Sequence, residues 1–310
     1  MIRLSGNCIR RFIVHALAII VVFGAAFAAM TGRSLAAADD EMVLFRADQS
    51  LAQALGKADK TAVGALLDAD FEWTDVNGKT WTRAQVLQNI ANFKIESEAD
   101  WTHSYAHVGV VLNIHHSPRF AHIWVKRPTG WRAFVYLDTP IPVAPATPAP
   151  MHHYDENSVC NNPCKTVPYK PTTAADRAII TTWLKAKIAE WHPDPDVWTI
   201  PTGDEFLIIN DLPRLKDGIA MKAERVAQLV KAKEQGVVGV PGDPVTSMRM
   251  TDIGGDGVVI VSHHVPRNGG KPYYNIRVWV YRDGRWQIVV SQQTTIKDAP
   301  PADIKSTLPM

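Results

Sequence analysis

The chain of 310 residues is 46% hydrophobic and 21% charged, the balance of an ordinary folded protein long enough for roughly two domains. Its formal net charge of +2 excludes the strongly basic surface that a nucleic acid or an anionic membrane would demand of a partner.

Arg3, Arg10 and Arg11 precede an almost wholly apolar run from Phe12 to Ala29. Ser34 and Ala36 then stand three and one positions before a cut after Ala36. This reads as a secretory signal peptide over 1–36. The run approaches the length that crosses a bilayer, so retention as an anchor is the alternative; the small-residue cut site favours cleavage. Cleavage removes Arg3, Arg10, Arg11 and Arg33, taking the charge from +2 to 2 − 4 = −2. The expected address is periplasmic or secreted, with no membrane or nucleic-acid partner.

Leu44, Ala47, Leu51, Ala54, Leu55 and Ala58 recur at helical spacing. They predict a helix from 40 to a break near Lys57–Lys60, and a short second helix from Ala62 to Leu67. Phe71-Glu72-Trp73-Thr74 alternates like a strand, and Asn77-Gly78 is a hairpin signal. Thr82 is placed to cap a helix over Arg83–Phe93 whose apolar face is Val86, Leu87 and Ile90. Strands are predicted at about 102–106, 109–116, 120–126 and 131–137. Pro140, Pro142, Pro145, Pro148 and Pro150 then open an extended linker over 141–172. It contains Cys-Asn-Asn-Pro-Cys, and in an exported chain Cys160 and Cys164 are expected to form a local disulfide. Helix resumes from Ala174 to Trp191 with Ile180, Trp183, Leu184 and Ile188 as its stripe. A strand at Phe206–Ile209, a helix over Lys222–Lys233 and four strands ending at Ile296 follow.

One stretch occurs twice. Val110-Val111-Leu112-Asn113-Ile114-His115-His116-Ser117-Pro118-Arg119 is echoed by Val258-Val259-Ile260-Val261-Ser262-His263-His264-Val265-Pro266-Arg267. Each copy leads to a pair of tryptophans seven apart, Trp124 with Trp131 and Trp279 with Trp286, with seven extra residues before the first of the second pair. This pattern reads as an internal duplication, dividing the chain into domains over 40–140 and 173–298 and a tail over 299–310. Helices that precede runs of antiparallel strands suggest an α+β fold.

Asp68-Ala69-Asp70-Phe71 after a short helix, the Asn77-Gly78 hairpin and the closing Arg282-Asp283-Gly284-Arg285-Trp286-Gln287 resemble the nuclear transport factor 2-like superfamily, in its SnoaL-like, ketosteroid-isomerase-like branch. The resemblance covers about 45–138 and 174–296. It implies two tandem cone-shaped domains, each a curved antiparallel sheet wrapped round N-terminal helices with a pocket at the open end. Members include isomerases, cyclases, dehydratases and domains with no known reaction, and the fold does not choose among them.

The isomerase branch resembles a carboxylate base facing a tyrosine, for which Asp70, Asp75 and Tyr105 in the first half and Asp204, Glu205, Asp252, Tyr273 and Tyr274 in the second are candidates. Asp70 and Glu205 take matching places before Phe71 and Phe206, where carboxylates are as a rule solvated. Neighbouring residues on a strand face opposite ways. One of His115 and His116, and one of His263 and His264, is therefore expected to face a cone as acid, base or ligand, with His115 and His263 the named choices. His103 and His107 lie four apart but have no second-half counterparts, so neither metal nor cofactor is expected. Trp73, Tyr105, Trp198 and Tyr273 suit a pocket wall, whereas Trp124 and Trp279 sit in apolar strands and suit a core. No serine-hydrolase elbow, P-loop or dinucleotide fingerprint is present.

The expected function is binding of a small apolar or amphipathic molecule, with catalysis unassigned. The alternatives are an isomerase, dehydratase or cyclase using a pocket carboxylate or histidine, and a cell-envelope interaction module. Ala133, Phe134, Val135 and Tyr136 are apolar in both parities, as expected for a sheet covered on both faces. The two halves are therefore expected to pair as an intramolecular pseudo-dimer.

Overall fold

The computed structural model describes residues 38–95, 98–142, 159–211, 218–267 and 269–301. The signal segment, residues 143–158 of the Pro-rich stretch and the tail beyond 301 lie outside the described residues. By its contacts the chain divides after Val43. The first unit contributes to the description only the start of a helix, and everything below concerns the second.

In the first half, helix α1 (38–56) is followed by α2 (Lys60–Leu66), β1 (Leu67–Thr74), β2 (Thr80–Thr82), α3 (Arg83–Gln88), β3 (Trp101–Tyr105), β4 (Val108–Asn113), β5 (Arg119–Arg127) and β6 (Gly130–Thr139). In the second half come α4 (Ala174–Trp191), α5 (Pro195–Thr199), β7 (Thr202–Ile209), β8 (Ile219–Met221), α6 (Lys222–Glu234), β9 (Val245–Ile253), β10 (Gly257–His264), β11 (Tyr273–Arg282) and β12 (Arg285–Thr295). The sheets run β2-β1-β6-β5-β4-β3 and β8-β7-β12-β11-β10-β9. The fold is α+β, with two tandem cone-shaped halves in the same strand order. Each sheet is antiparallel except where its first strand lies parallel to its last, β1 against β6 and β7 against β12.

Local chemistry sets the boundaries. Asp59 caps α2 through the Thr61 and Ala62 amides, and Ala58 turns left-handed at φ 51° to separate α1 from α2. Thr82 and Gln85 form a capping box at α3. That helix ends at Gln88, with a single 3₁₀ turn at Ile90–Asn92, five residues short of the predicted end at Phe93. Gly78 holds the β1–β2 turn at φ 74°, and a Cβ there would meet Ile296 Cα at 2.6 Å, so only glycine fits.

Two expectations need correction. β4 stops at Asn113 rather than 116. The Asn113 side chain accepts from the His116 amide (3.0 Å) and donates to the His116 and Pro118 carbonyls, while Asp100 Oδ2 accepts from the Ile114 and His115 amides. Side chains thus take the backbone groups a ladder would have used. The literal His-His-x-Pro-Arg match is also one residue out of register. Asn113 lies opposite Phe120, and Ser262 opposite Asn275. The ladders therefore relate β4 to β10 by 262 − 113 = 149, against 263 − 115 = 148 in the written repeat. β5 and β11 are related by 279 − 124 = 155, and both carry a bulge just before the tryptophan. A slip of one residue exchanges the faces of a strand, so burial sets the register and the text match does not.

Each half has a core between helices and sheet. In the first, Leu44, Leu51 and Leu55 of α1 pack on Phe71, Trp124 and Tyr136. In the second, Ile179 and Trp183 pack on Val258, Ile260 and Trp279, and Phe206 packs with Trp198 and Leu229. The opposite faces of the two sheets share one cluster, with Val110, Leu112, Ile123 and Leu137 against Val259, Ile276, Val278 and Val290. At its end the Thr139 and Thr294 hydroxyls lie 2.7 Å apart. Thr139 Oγ1 donates to the Gln293 carbonyl (3.0 Å) and Thr294 Oγ1 to the Asp138 carbonyl (2.5 Å).

Cys160 and Cys164 form the disulfide, with Cα atoms 5.5 Å apart. It is buried against Trp191. Asn162 exchanges hydrogen bonds with both backbone groups of Val245, and Arg267 Nη2 donates to the Asn162 carbonyl. The loop thus docks on the edge strand β9 in place of a neighbouring strand.

Trp124 and Trp279 are 0% and 1% exposed. Replacing either with Ala is expected to cost about 3–5 kcal/mol. Urea unfolding of each variant measures this, and a loss under about 1 kcal/mol would contradict the packing described.

Candidate functional site

The helices of the second half do not close onto their sheet, and a cavity of about 220 Å³ remains between α4, α5, α6, the 240–243 segment and strands β7, β11 and β12. Its apolar wall is Trp183, Trp198, Phe206, Trp279 and Ile288. Lys187 and Glu190, one turn apart on α4, pair at 2.6 Å. Burial works to raise the Glu190 carboxyl, but the charges of Lys187 and Arg225 and the hydrogen bonds from Lys187 and Trp198 outweigh it and hold it at about 2. Burial lowers Lys187, against the pull of Glu190.

Tyr273 donates to Asp243 Oδ2 (3.1 Å) and stacks on His264. His264 lies 2.9 Å from the Ser262 hydroxyl, and burial together with the nearby Arg277 pushes it well below the usual imidazole range. Arg277 is 6% exposed. It lies over the Trp183 ring at 4.6 Å and donates from Nη1 to Ser262 Oγ (3.2 Å). Burial lowers it to about 10, so it remains a cation at neutral pH.

The equivalent place in the first half is filled differently. Subtracting 155 from Arg277 and Gln293 leads to His122 and Asp138. His122 is fully buried, sandwiched between Phe120 at 3.9 Å and Tyr136 at 3.7 Å. Its Nδ1 meets Asp48 Oδ1 at 2.8 Å. Asp48 also accepts from Trp124 Nε1 (3.1 Å) and the Tyr136 hydroxyl (3.2 Å). An acceptor so surrounded by donors makes Nδ1 the protonated nitrogen. Among the described residues Nε2 is buried without a hydrogen-bond partner. The His122 ring borders a cavity of about 70 Å³ lined also by Trp73, Lys94, Ile95, Pro118, Phe120 and Asp138. Trp73 Nε1 donates to Asp138 Oδ2 (2.7 Å). Burial lifts the Asp138 carboxyl to about 6, against the nearby His122 and that hydrogen bond. A carboxyl that protonates near neutrality and a buried imidazole thus line one small cavity. Ile95 and Asp48 also line a neighbouring groove of about 190 Å³.

The residues named from sequence are dispersed. Trp198 and Tyr273 meet in the larger cavity, and Trp73 borders the smaller one. Tyr105 donates to Glu205 Oε1 (2.9 Å), and Arg282 clamps the same carboxylate with two contacts of 2.6 Å; this cluster ties the halves together outside both cavities. Asp70 and Asp204 are exposed, Asp204 pairing with Lys222 at 2.8 Å. Asp75 accepts from Trp81 Nε1, and Asp252 accepts the Gly255 amide in a turn. His115 is 69% exposed beside Asp100, and His116 is exposed. His263 is half-buried, touches Thr246 and packs edge-on to Tyr274, while its neighbour His264 is buried. His107 pairs with Asp256, and His103 stacks between Trp101 and Tyr105. Among the described residues no group of three or more His, Cys, Asp or Glu is placed to hold a metal ion.

Asp48, His122, Asp138, Lys187, Glu190, Arg225, Asp243 and Arg277 were not singled out by sequence. Two signals were available. Asp48 interrupts the apolar stripe of α1 between Leu44 and Leu51. His122 and Arg277 stand two residues before Trp124 and Trp279, on the face those tryptophans bury.

No family model matches the chain, and no curated protein matches it. Among solved structures it is similar to an NTF2-like protein from Cytophaga hutchinsonii, at 18% identity over 40% of this chain and 100% of that one, with a TM-score of 0.31. It is similar to an NTF2-like protein of unknown function from Pseudomonas putida, at 13% identity over 45% and 95%, with a TM-score of 0.28. It is also similar to an NTF2-like protein of unknown function in nutrient uptake from Rhodospirillum rubrum, at 15% identity over 38% and 98%, with a TM-score of 0.28.

The raised Asp138 carboxyl has a measurable consequence. Its ordinary value is 3.8 and its folded value about 6, so the folded state holds the proton across that window. This group's contribution to stability is complete below about pH 4 and is lost as pH rises through 6. Asp138→Asn keeps an acceptor for Trp73. It is expected to remove that part of the slope and to gain on the order of 1–3 kcal/mol at pH 7. Urea unfolding of both proteins from pH 4 to 7 checks this, and parallel profiles would contradict it.

Proposed function

We propose that this is an exported protein of two tandem nuclear transport factor 2-like domains, of the SnoaL-like, ketosteroid-isomerase-like type, paired within one chain. We further propose that its second half binds a small amphipathic molecule in the cone cavity. The observation that carries the binding reading is the 220 Å³ cavity itself, in which an aromatic wall faces a few convergent charged groups. Ligand sites have this composition. Shared strand order and the 155-residue offset support the tandem reading, and the Cys160–Cys164 disulfide supports an oxidising compartment.

Benzyl alcohol, a small neutral amphipathic probe, is expected to shift backbone NMR signals saturably around Trp198, Phe206 and Tyr273. Ala186→Phe, which fills the cavity from α4, is expected to abolish those shifts while the protein stays folded. Shifts scattered over the surface, or unchanged in the filled variant, would refute the binding reading.

A second reading, an enzyme acting by proton transfer in the first half, is favoured by one arrangement: Asp48 holds His122 through Nδ1, and His122 and Asp138 line the same small cavity. Long-range ¹H–¹⁵N correlation is expected to show His122 as the Nδ1–H tautomer at pH 7. The Nε2–H tautomer would remove the base and the reading with it.

A further inference from the structure

A cation inside a protein is costly unless a counter-charge meets it. Among the described residues no carboxylate makes an ion pair with Arg277, and Glu190 favours its charge only from a distance. Among the described residues the one hydrogen bond of Arg277 goes to a neutral hydroxyl, that of Ser262, and its Cζ lies over the Trp183 ring. The acids nearby are already committed. Glu190 pairs with Lys187 and accepts from Trp198 Nε1 (3.1 Å). Asp243 accepts from the Tyr273 hydroxyl and the Arg267 amide. The cavity is lined by three cations, Lys187, Arg225 and Arg277, against two carboxylates, Glu190 and Asp243, which leaves 3 − 2 = 1 positive charge in excess. Gln293 and Asn275 line the same cavity, and among the described residues Gln293 Nε2, a donor, and Asn275 Oδ1, an acceptor, are buried without partners.

We propose that the second-half cavity selects a monocarboxylate carried on a small, ring-sized apolar body, and that Arg277 holds the charged end. This rests on the reading of the cavity as a ligand site and names the class of ligand it takes. The guanidinium fork matches the two oxygens of a carboxylate and leaves little for a neutral group to satisfy. Trp198, Phe206 and Trp279 receive the apolar body. The volume agrees: a cavity of about 150 Å³ accepts benzene, and 220 Å³ leaves room for one carboxylate beside a ring. A single excess positive charge is neutralised by a monoanion and overshot by a dianion.

Calorimetric titration of the full chain with benzoate, benzamide and phenylphosphonate tests this. Benzoate is expected to bind roughly 10- to 100-fold more tightly than benzamide, the range of a hydrogen bond to a charged group. Arg277→Met is expected to abolish that preference while benzamide affinity changes less than about threefold. Arg277→Lys, which keeps the charge without the fork, is expected to retain part of it and serves if the methionine variant does not fold. Equal affinity for benzoate and benzamide, a preference that survives Arg277→Met, or tighter binding of phenylphosphonate would each overturn the assignment. If benzyl alcohol and benzamide bind and benzoate does not, the carboxylate class fails and the binding reading stands. If none of these probes binds, the binding reading fails as well.

Discussion

Everything in the second unit of the chain depends on the contact between the two sheets. Each half presents an apolar sheet face that its own helices do not cover, and Val110, Leu112, Ile123 and Leu137 bury theirs against Val259, Ile276, Val278 and Val290. This explains why β5, β6, β11 and β12 carry apolar residues in both parities: a strand with two dry faces has no wet position to mark. It also fixes the strands rigidly from behind. The inner faces can then carry polar and charged groups that a half-supported sheet could not hold in place.

Those inner faces differ under that shared support. At the same place in the cone one half sets His122 on Asp48, and the other lays Arg277 over Trp183. Asp48 accepts from His122, Trp124 and Tyr136 together, and a cavity of about 70 Å³ lies beside His122. In the second half the indole nitrogens of Trp183 and Trp279 are buried without partners, the helices stand off, and about 220 Å³ remains open. One scaffold thus carries a small cavity beside His122 and Asp138 and a larger one lined by Arg277.

The architecture was legible because it rests on local signals. The stripe of α1, the Asn77-Gly78 turn, the Thr82 cap and the tryptophan spacing all act within a few residues. The short strand β8 was missed, since three residues show no period. The site was legible only in part. Trp198 and Tyr273 could be named as pocket aromatics by type. His115 and His263 drew attention by repetition, yet Asn113 and Asp100 end β4 before His115, and the written repeat slips one residue against the ladder. Arg277 and His122 stood in plain alternation with the buried tryptophans. A lone polar residue in such a strand says nothing about what faces it until the helix packed across from it is known, and that is a long-range fact.

The sheet contact is nearly, but not fully, its own mirror. Thr139 and Thr294 reach across to each other's neighbouring carbonyl in reciprocal fashion. Gln292 donates from its side chain to the Leu137 carbonyl (2.8 Å), and the matching bond from the Leu137 side chain is impossible because that side chain has no donor. Two identical subunits about a twofold axis would have to make such a bond twice or not at all. Joining the halves in one chain removes that obligation. A substitution falls on one side of the seam only, so each half can be altered without its image appearing opposite.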